Sequence, residues 1–436
     1  MHTLQQLRSG ALAGIQRLTL RCGLTEFPPE IFALADSLEI LDLSGNALST
    51  LPEDLHRLHK LRIIFCSDNQ FSELPAALGA CAALSMVGFK ANQIRHVAAA
   101  ALPAGLRWLV LTDNQIEGLP VELGRRPQLQ KLMLAGNRLR ALPASMAQLH
   151  NLQLLRIASN QLTALPDWLL TLPQLTWLAY AGNPFSEQRE DDLAHTPSAA
   201  IAWPSLTLQE KLGEGASGVI YRADWHAADE ERASGQSASR PVAVKLFKGA
   251  MTSDGSPLSE MAACLGAGAH PNLIPILGHI EDHPDHAHGL VMSLIAPEFR
   301  NLAGPPSLDS CTRDIYAEDK RFDLPAALRI ARGIAAAAAQ LHAHGILHGD
   351  LYGHNILHDQ HGNTLLGDFG AASFYDPAGR QADALQTLEV RAFGNLLEEL
   401  LDRSDAVPPA LRELQAACQH GELRFAAIQE QLDKPF

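Results

Sequence analysis

Residues 346–370 read ILHGDLYGHNILHDQHGNTLLGDFG. Asp350 precedes Asn355 by five positions, and Asp368-Phe369-Gly370 follows Asn355 after a strand-like LLG. Working outward from this stretch, residues 206–221 read LTLQEKLGEGASGVIY, a short strand entering Gly213-x-Gly215-x-x-Gly218-x-Ile220. Glycine lets a backbone approach phosphates and take positive φ. Dinucleotide folds share that spacing, but here a strand rather than a helix follows. The next apolar strand, Pro241-Val-Ala-Val-Lys245-Leu-Phe, carries one buried-type lysine. Glu260 lies on a predicted helix ahead of His270-Pro271-Asn272, and GLVMSLI at 289–295 reads as another strand. Residues 224–240, between two of these strands, are polar and read as an extended loop.

Taken in order, these elements resemble the protein-kinase-like family over nearly all of 205–436. The glycine stretch matches the phosphate-covering hairpin, V-A-V-K the lysine strand, H-G-D-L-x-x-x-N the catalytic loop, and D-F-G the metal-holding turn. The resemblance implies an α+β bilobal fold and an ATP-dependent Ser/Thr kinase using Mg²⁺. It assigns Gly213, Gly215, Gly218, Ile220, Ala243, Lys245, Met292, Ser293 and Ile295 to the nucleotide, with Met292 as gatekeeper. Lys245 then pairs with phosphates and Glu260, Asp350 takes the acceptor hydroxyl's proton, and Asn355 and Asp368 hold the metal. Such residue types suit phosphoryl transfer, which needs charge neutralisation and positioning more than covalent chemistry.

The sequence departs from the family at specific points. Gly349 replaces the arginine that reads a phosphorylated activation segment, and Tyr352 replaces a lysine that contacts the γ-phosphate. Glu389 stands at the aspartate position of a D-x-x-S-F-G helix, only a short activation segment after Asp368. No A-P-E lies between them, so Arg424 lacks its usual partner. Two other readings stay open. H-G-D-L-x-x-x-N also resembles small-molecule phosphotransferases such as those for aminoglycosides and choline, and the domain could be a nucleotide-binding pseudokinase scaffold.

The first half of the chain repeats. Leu38, Leu61, Leu84, Leu106, Leu129, Leu152 and Leu175 open segments 22 or 23 residues apart, each reading L-x-x-Φ-x-Φ-x-x-N-x-Φ with Φ apolar. The asparagines are 46, 69, 92, 114, 137, 160 and 183, and most repeats continue into Leu-Pro. Each Φ-x-Φ is a strand of a parallel sheet, and the Asn side chains can bond the adjacent turn through the stack. One unit cannot bury its apolar face; a stack can. The pattern resembles leucine-rich repeats over 15–185, with a degenerate first copy near Ile15 and a capping helix in 1–14. The resemblance implies an α/β solenoid binding a protein substrate or regulator on its concave face. Phe65, Met86, Lys90, Trp108, Asp113, Lys131, Met133, Arg156 and Trp177 are expected to be exposed there. Residues 186–204, polar and interrupted by Pro197 and Pro204, read as a linker.

Composition narrows the function. The chain has 436 residues and a net charge of −14. Residues 1–200 hold 16 basic and 17 acidic side chains, whereas 201–436 hold 18 and 31. So acidic a second half is a poor binder of phosphate backbones, which argues against a nucleic-acid partner. The six cysteines are scattered with no C-x-x-C, so neither a zinc site nor a disulfide framework is expected. No h-region or apolar run of membrane length occurs, and a cytoplasmic protein without a membrane span is the expectation. His283, His286 and His288 lie in a polar hairpin and are not read as a metal site.

Overall fold

The computed structural model describes residues 1–215, 217–226, 239–249 and 251–435. They form two compact units: Met1–Leu175 with Asn183–Phe185, and Thr176–Gly182 with Ser186–Phe436. Among the described residues no helix is long and apolar enough to cross a membrane.

The first unit is an α/β solenoid. It opens with the helix Leu4–Arg8, whose start is closed by a capping box between Thr3 and Gln6. Three-residue parallel strands follow, from Arg17–Thr19 and Ile40–Asp42 through Ile63–Phe65, Met86–Gly88, Trp108–Val110 and Lys131–Met133 to Leu154–Arg156. Their register is uniform, with Ile63 opposite Met86, Met86 opposite Trp108, and Trp108 opposite Lys131. Leu38, Leu61, Leu84, Leu106, Leu129 and Leu152 are fully buried beneath it.

The asparagines do what their spacing implied. Asn137 Nδ2 donates to the carbonyls of Leu111 and Leu134, both at 2.9 Å, and its Oδ1 accepts the Ile116 amide at 3.0 Å. Asn69, Asn92, Asn114 and Asn160 repeat the pattern. Each side chain therefore satisfies backbone groups that a tight turn leaves open. The prolines of the Leu-Pro pairs are extended and start the 3₁₀ turns on the other side, as Pro75, Pro120 and Pro143 do. A residue without an N–H costs nothing at such a start.

The expectation for the strand face needs correction. Asp113 is exposed, and Phe65, Lys90 and Trp108 are half-buried. Met86, Lys131, Met133, Arg156 and Trp177 are buried. Neighbouring strands lie only about 4.8 Å apart, so large side chains in register cover one another. The Lys131 ammonium lies 4.3 Å over the Trp108 ring, and Met133 stands beside Arg156.

The second unit has a sheet lobe and a helical lobe. Its sheet orders the strands Leu206–Glu214, Gly218–His226, Ser239–Phe247, Gly289–Ser293, Ile276–Glu281 and Ala200–Ala202. The last pairs in parallel with Ile276–Glu281, whereas the others are antiparallel. Strands reach to His226 and from Ser239 on, so the predicted loop is shorter than 224–240; its centre, 227–238, lies outside the described residues. The helical lobe is built on Leu324–Ala343 and Ala382–Leu401, with Pro409–His420 and Phe425–Leu432 closing the chain. Asp323 caps the first of these by accepting the Ala326 amide at 2.7 Å. Its alanine run is buried, since small side chains let neighbouring elements approach.

Residues 186–204 are folded: Glu187–Ala194 is a helix and Ala200–Ala202 the edge strand. The polar composition concealed two anchors. Leu193 packs where a Cβ on Gly266 would come within 2.8 Å of it. Ile201 joins the sheet core with Leu206, Val242 and Val291.

Candidate active site

The glycine hairpin pairs Gly213 with Ile220, and the Gly215 amide donates to the Gly218 carbonyl at 2.9 Å. A Cβ at Gly213 or Gly215 would meet no atom within 4 Å, whereas one at Gly218 would lie 2.6 Å from the Leu246 carbonyl oxygen. Gly218 is thus required by packing. Gly213 and Gly215 border open space of the kind a phosphate chain needs.

Lys245 is in register with Ile220 on one side and Leu290 on the other. Its ammonium is ion-paired with Glu260. That glutamate projects from the helix Pro257–Gly266, which starts with Ser256 accepting the Leu258 amide at 3.2 Å and Pro257 at its first position. Burial opposes the Lys245 charge, yet Glu260, with Asp368 beyond it, holds its pKa above the ordinary lysine value. The lysine is therefore a fixed cation.

A cavity of about 510 Å³ opens beside this pair, within the range of small-molecule sites. Gly213, Ile220, Ala243, Lys245, Glu260, Met292, Ser293, Ile295 and Asp368 all line it. Gly215, Gly218, Asp350 and Asn355 do not.

The catalytic-loop stretch runs from the strand Ile346–Leu347 to the 3₁₀ turn Gly353–Asn355. His348 is fully buried; its Nε2 donates to the Gly367 carbonyl at 2.8 Å and its Nδ1 accepts the Asp350 amide at 3.3 Å. One neutral tautomer satisfies both. Asn355 Nδ2 donates to the Asp350 carbonyl at 2.8 Å and to Asp350 Oδ2 at 2.9 Å. Asn355 Oδ1 is then the oxygen left to face a cation. Asp368 is exposed with φ of 54°, in the left-handed region that Asp tolerates better than most residues. Its Oδ1 accepts the Gly370 amide at 3.2 Å.

Several contacts around the loop had no sequence signal beyond residue type. Glu389, fully buried, accepts the Gly349 amide at 2.9 Å and pairs with His342 at 2.8 Å. His354 Nδ1 bonds Asp314 at 2.7 Å, and its ring stands 5.2 Å from that of Tyr352. The Trp177 ring also stacks on Tyr352, with ring centres 4.3 Å apart and planes 10° from parallel. Trp177, expected on an exposed repeat face, is buried, with Tyr352 and the Leu351 carbonyl among its contacts. Arg424, deprived of an A-P-E partner, lies 3.5 Å from Asp383.

The family profile for protein tyrosine and serine/threonine kinases matches residues 206–391. That for leucine-rich repeats matches 4–71 and 127–185. The chain joins leucine-rich repeats to a protein kinase domain. The strands Met86–Gly88 and Trp108–Val110 carry the repeat register across the stretch the profile leaves out. Among similar proteins is a nodulation receptor kinase of Pisum sativum, 28% identical over 196 residues, or 43% of this chain and 18% of that protein. A serine/threonine-protein kinase, PkaA, of Streptomyces coelicolor is 30% identical over 180 residues, 39% of this chain and 30% of its own. A probable LRR receptor-like serine/threonine-protein kinase of Arabidopsis thaliana is 27% identical over 180 residues, 40% and 26% respectively. In each of the three the match spans less than a third of the relative's length.

Proposed function

We propose that the kinase domain transfers the γ-phosphoryl group of ATP to a serine or threonine hydroxyl of a protein, and that the repeats recruit that substrate or a regulator. The observation that carries this reading is the made Lys245–Glu260 ion pair beside a cavity that Asp368 also lines. A pseudokinase has no need to keep that pair, Asp350, Asn355 and Asp368 together.

The glycine hairpin would cover the phosphates of the nucleotide, and the backbone near Ser293 and Ile295 would receive its adenine. Lys245 holds the phosphates. Asp368 and Asn355 Oδ1, a hard-oxygen set of the type Mg²⁺ takes, would hold a divalent metal, which would supply positive charge against the phosphates. Asp350 orients the acceptor hydroxyl and takes its proton as the new O–P bond forms. The bond from the γ-phosphorus to the bridging oxygen breaks, and ADP leaves. The residues contribute positioning and fixed charge rather than a covalent step. Covalent attachment of the repeats raises the local concentration of whatever they bind.

Intact-mass measurement after incubation with Mg-ATP tests the reading. The full chain gains mass in phosphate steps, on itself or on an added protein acceptor, and Asp368→Ala gains none. Turnover of an amino-alcohol with no protein phosphorylation would replace this reading with the small-molecule one.

A further inference from the structure

The kinase unit begins before the sequence suggests. Thr176–Gly182 belongs to it, and so does the folded stretch 186–202. Trp177 stacks on Tyr352 and donates from Nε1 to the Leu351 carbonyl at 3.3 Å. A Cβ at Gly349 would lie 2.8 Å from the Leu178 carbonyl oxygen and 2.4 Å from that of Ala371. The Tyr180 amide donates to Ser373 Oγ at 2.8 Å, just after D-F-G. Farther on, Glu190 accepts the Gly182 amide at 2.8 Å and bonds the Ser259 hydroxyl on the helix that carries Glu260. One stretch thus touches the catalytic loop, the segment after Asp368, and the Glu260 helix.

We propose that Trp177 is a positioning residue for phosphoryl transfer, holding Tyr352 and through it the turn that aligns Asp350 and Asn355. The proposal rests on the kinase reading above. Tyr352 is where the loop needs an outside hold: its carbonyl accepts the Asn355 amide at 3.1 Å, and Asn355 in turn binds Asp350 twice. A shift of Tyr352 therefore moves the carboxylate that meets the acceptor. At 349 the close backbones leave no room for any side chain, so no arginine can organise this loop. The indole does so from the preceding segment. An aromatic pair in this stacked, buried geometry contributes beyond its area, and its rigidity suits a positioning role.

The test uses the full chain with Trp177→Leu, which removes the stack and the N–H, and Trp177→Phe, which keeps a stacked ring. Turnover of Mg-ATP with a protein acceptor is measured beside hydrogen exchange of the Tyr352–Asn355 amides. The proposal expects kcat to fall about tenfold to a hundredfold in Trp177→Leu, with KM for ATP little changed. It expects faster exchange in those amides and recovery of most of both in Trp177→Phe. Unchanged kcat and exchange in Trp177→Leu would overturn it. So would a rise in kcat, which would make the segment a block on acceptor access. If the parent chain showed no turnover at all while exchange still quickened in Trp177→Leu alone, the kinase reading would fail and only the hold of Trp177 on the Tyr352–Asn355 turn would stand. If Trp177→Leu did not fold, Tyr352→Leu, which removes the same stack from its other ring, is read against Tyr352→Phe, which keeps it. Unchanged kcat and exchange in Tyr352→Leu would overturn the proposal.

Discussion

Glu389 Oε1 accepts the Gly349 amide at 2.9 Å, across 40 residues of sequence, while its Oε2 takes the His342 imidazole at 2.8 Å. A buried carboxylate thereby ties two helices to the catalytic loop. Burial opposes its charge, but the His342 side chain and the Gly349 amide outweigh burial and hold its pKa below the ordinary value of 4.5. A depressed carboxylate pKa stabilises the fold above the unfolded value and loses that contribution as pH falls through the folded one. Glu389→Gln is expected to lower stability at neutral pH by about 1–3 kcal/mol. The gap to the parent should close as pH drops below 4.5. Thermal unfolding of both proteins across that window checks it.

Gly349 has φ of 71° and backbone oxygens on two sides of its missing side chain. Gly349→Ala is expected to cost more than the roughly 1–2 kcal/mol of a left-handed alanine alone, because the Ala371 carbonyl must also move. Restoring the family arginine, Gly349→Arg, should do worse. An unchanged melting temperature in either variant would show that the loop is not packed this way.

The repeats were legible because one requirement recurs: a leucine beneath each strand and an asparagine at each turn. Asn46, Asn137 and Asn160 each bond the previous turn and their own, which is why the period is strict. The kinase domain was legible for a related reason, since Lys245, Glu260 and Asp368 come from distant segments in a fixed order. What escaped reading depends on tertiary partners. Trp177 has the spacing of a repeat residue, and only Tyr352, 175 positions later, gives it a second role. Leu193 and Ile201 are lone apolar residues in a polar stretch, too sparse to show periodicity. Lys131 looked exposed because the sequence does not say that Trp108 lies beneath its ammonium.

Asn137 offers a direct test of the ladder. Asn137→Ala leaves the buried Ile116 amide without its acceptor, while the Leu111 and Leu134 carbonyls keep their bonds from Asn114 and Asn160. Such a buried amide costs about 1–3 kcal/mol unless water reaches it. Because each repeat leans on its neighbours, the loss should appear in urea unfolding of the repeats with the ATP-induced thermal shift of the kinase domain intact. Loss of the nucleotide response instead would contradict the assignment of Asn137 to the ladder alone.

Glu260→Gln keeps the shape of the helix contact but removes the charge that fixes Lys245. Phosphoryl transfer is expected to fall about tenfold to a hundredfold. Lys245→Met should fall further, by about a hundredfold to a thousandfold, since a fixed cation aimed at developing charge is lost. Initial rates at saturating and limiting ATP separate lost binding from lost chemistry. Equal rates in the parent and both variants would remove Lys245 and Glu260 from the site.

The most direct measurement is transfer of labelled γ-phosphate to protein by the full chain and by Asp350→Asn, each first shown by thermal shift to bind ATP. The account predicts serine- or threonine-linked label with the parent, and nucleotide binding without transfer in the variant. Asp350→Asn phosphorylating protein as fast as the parent would contradict it.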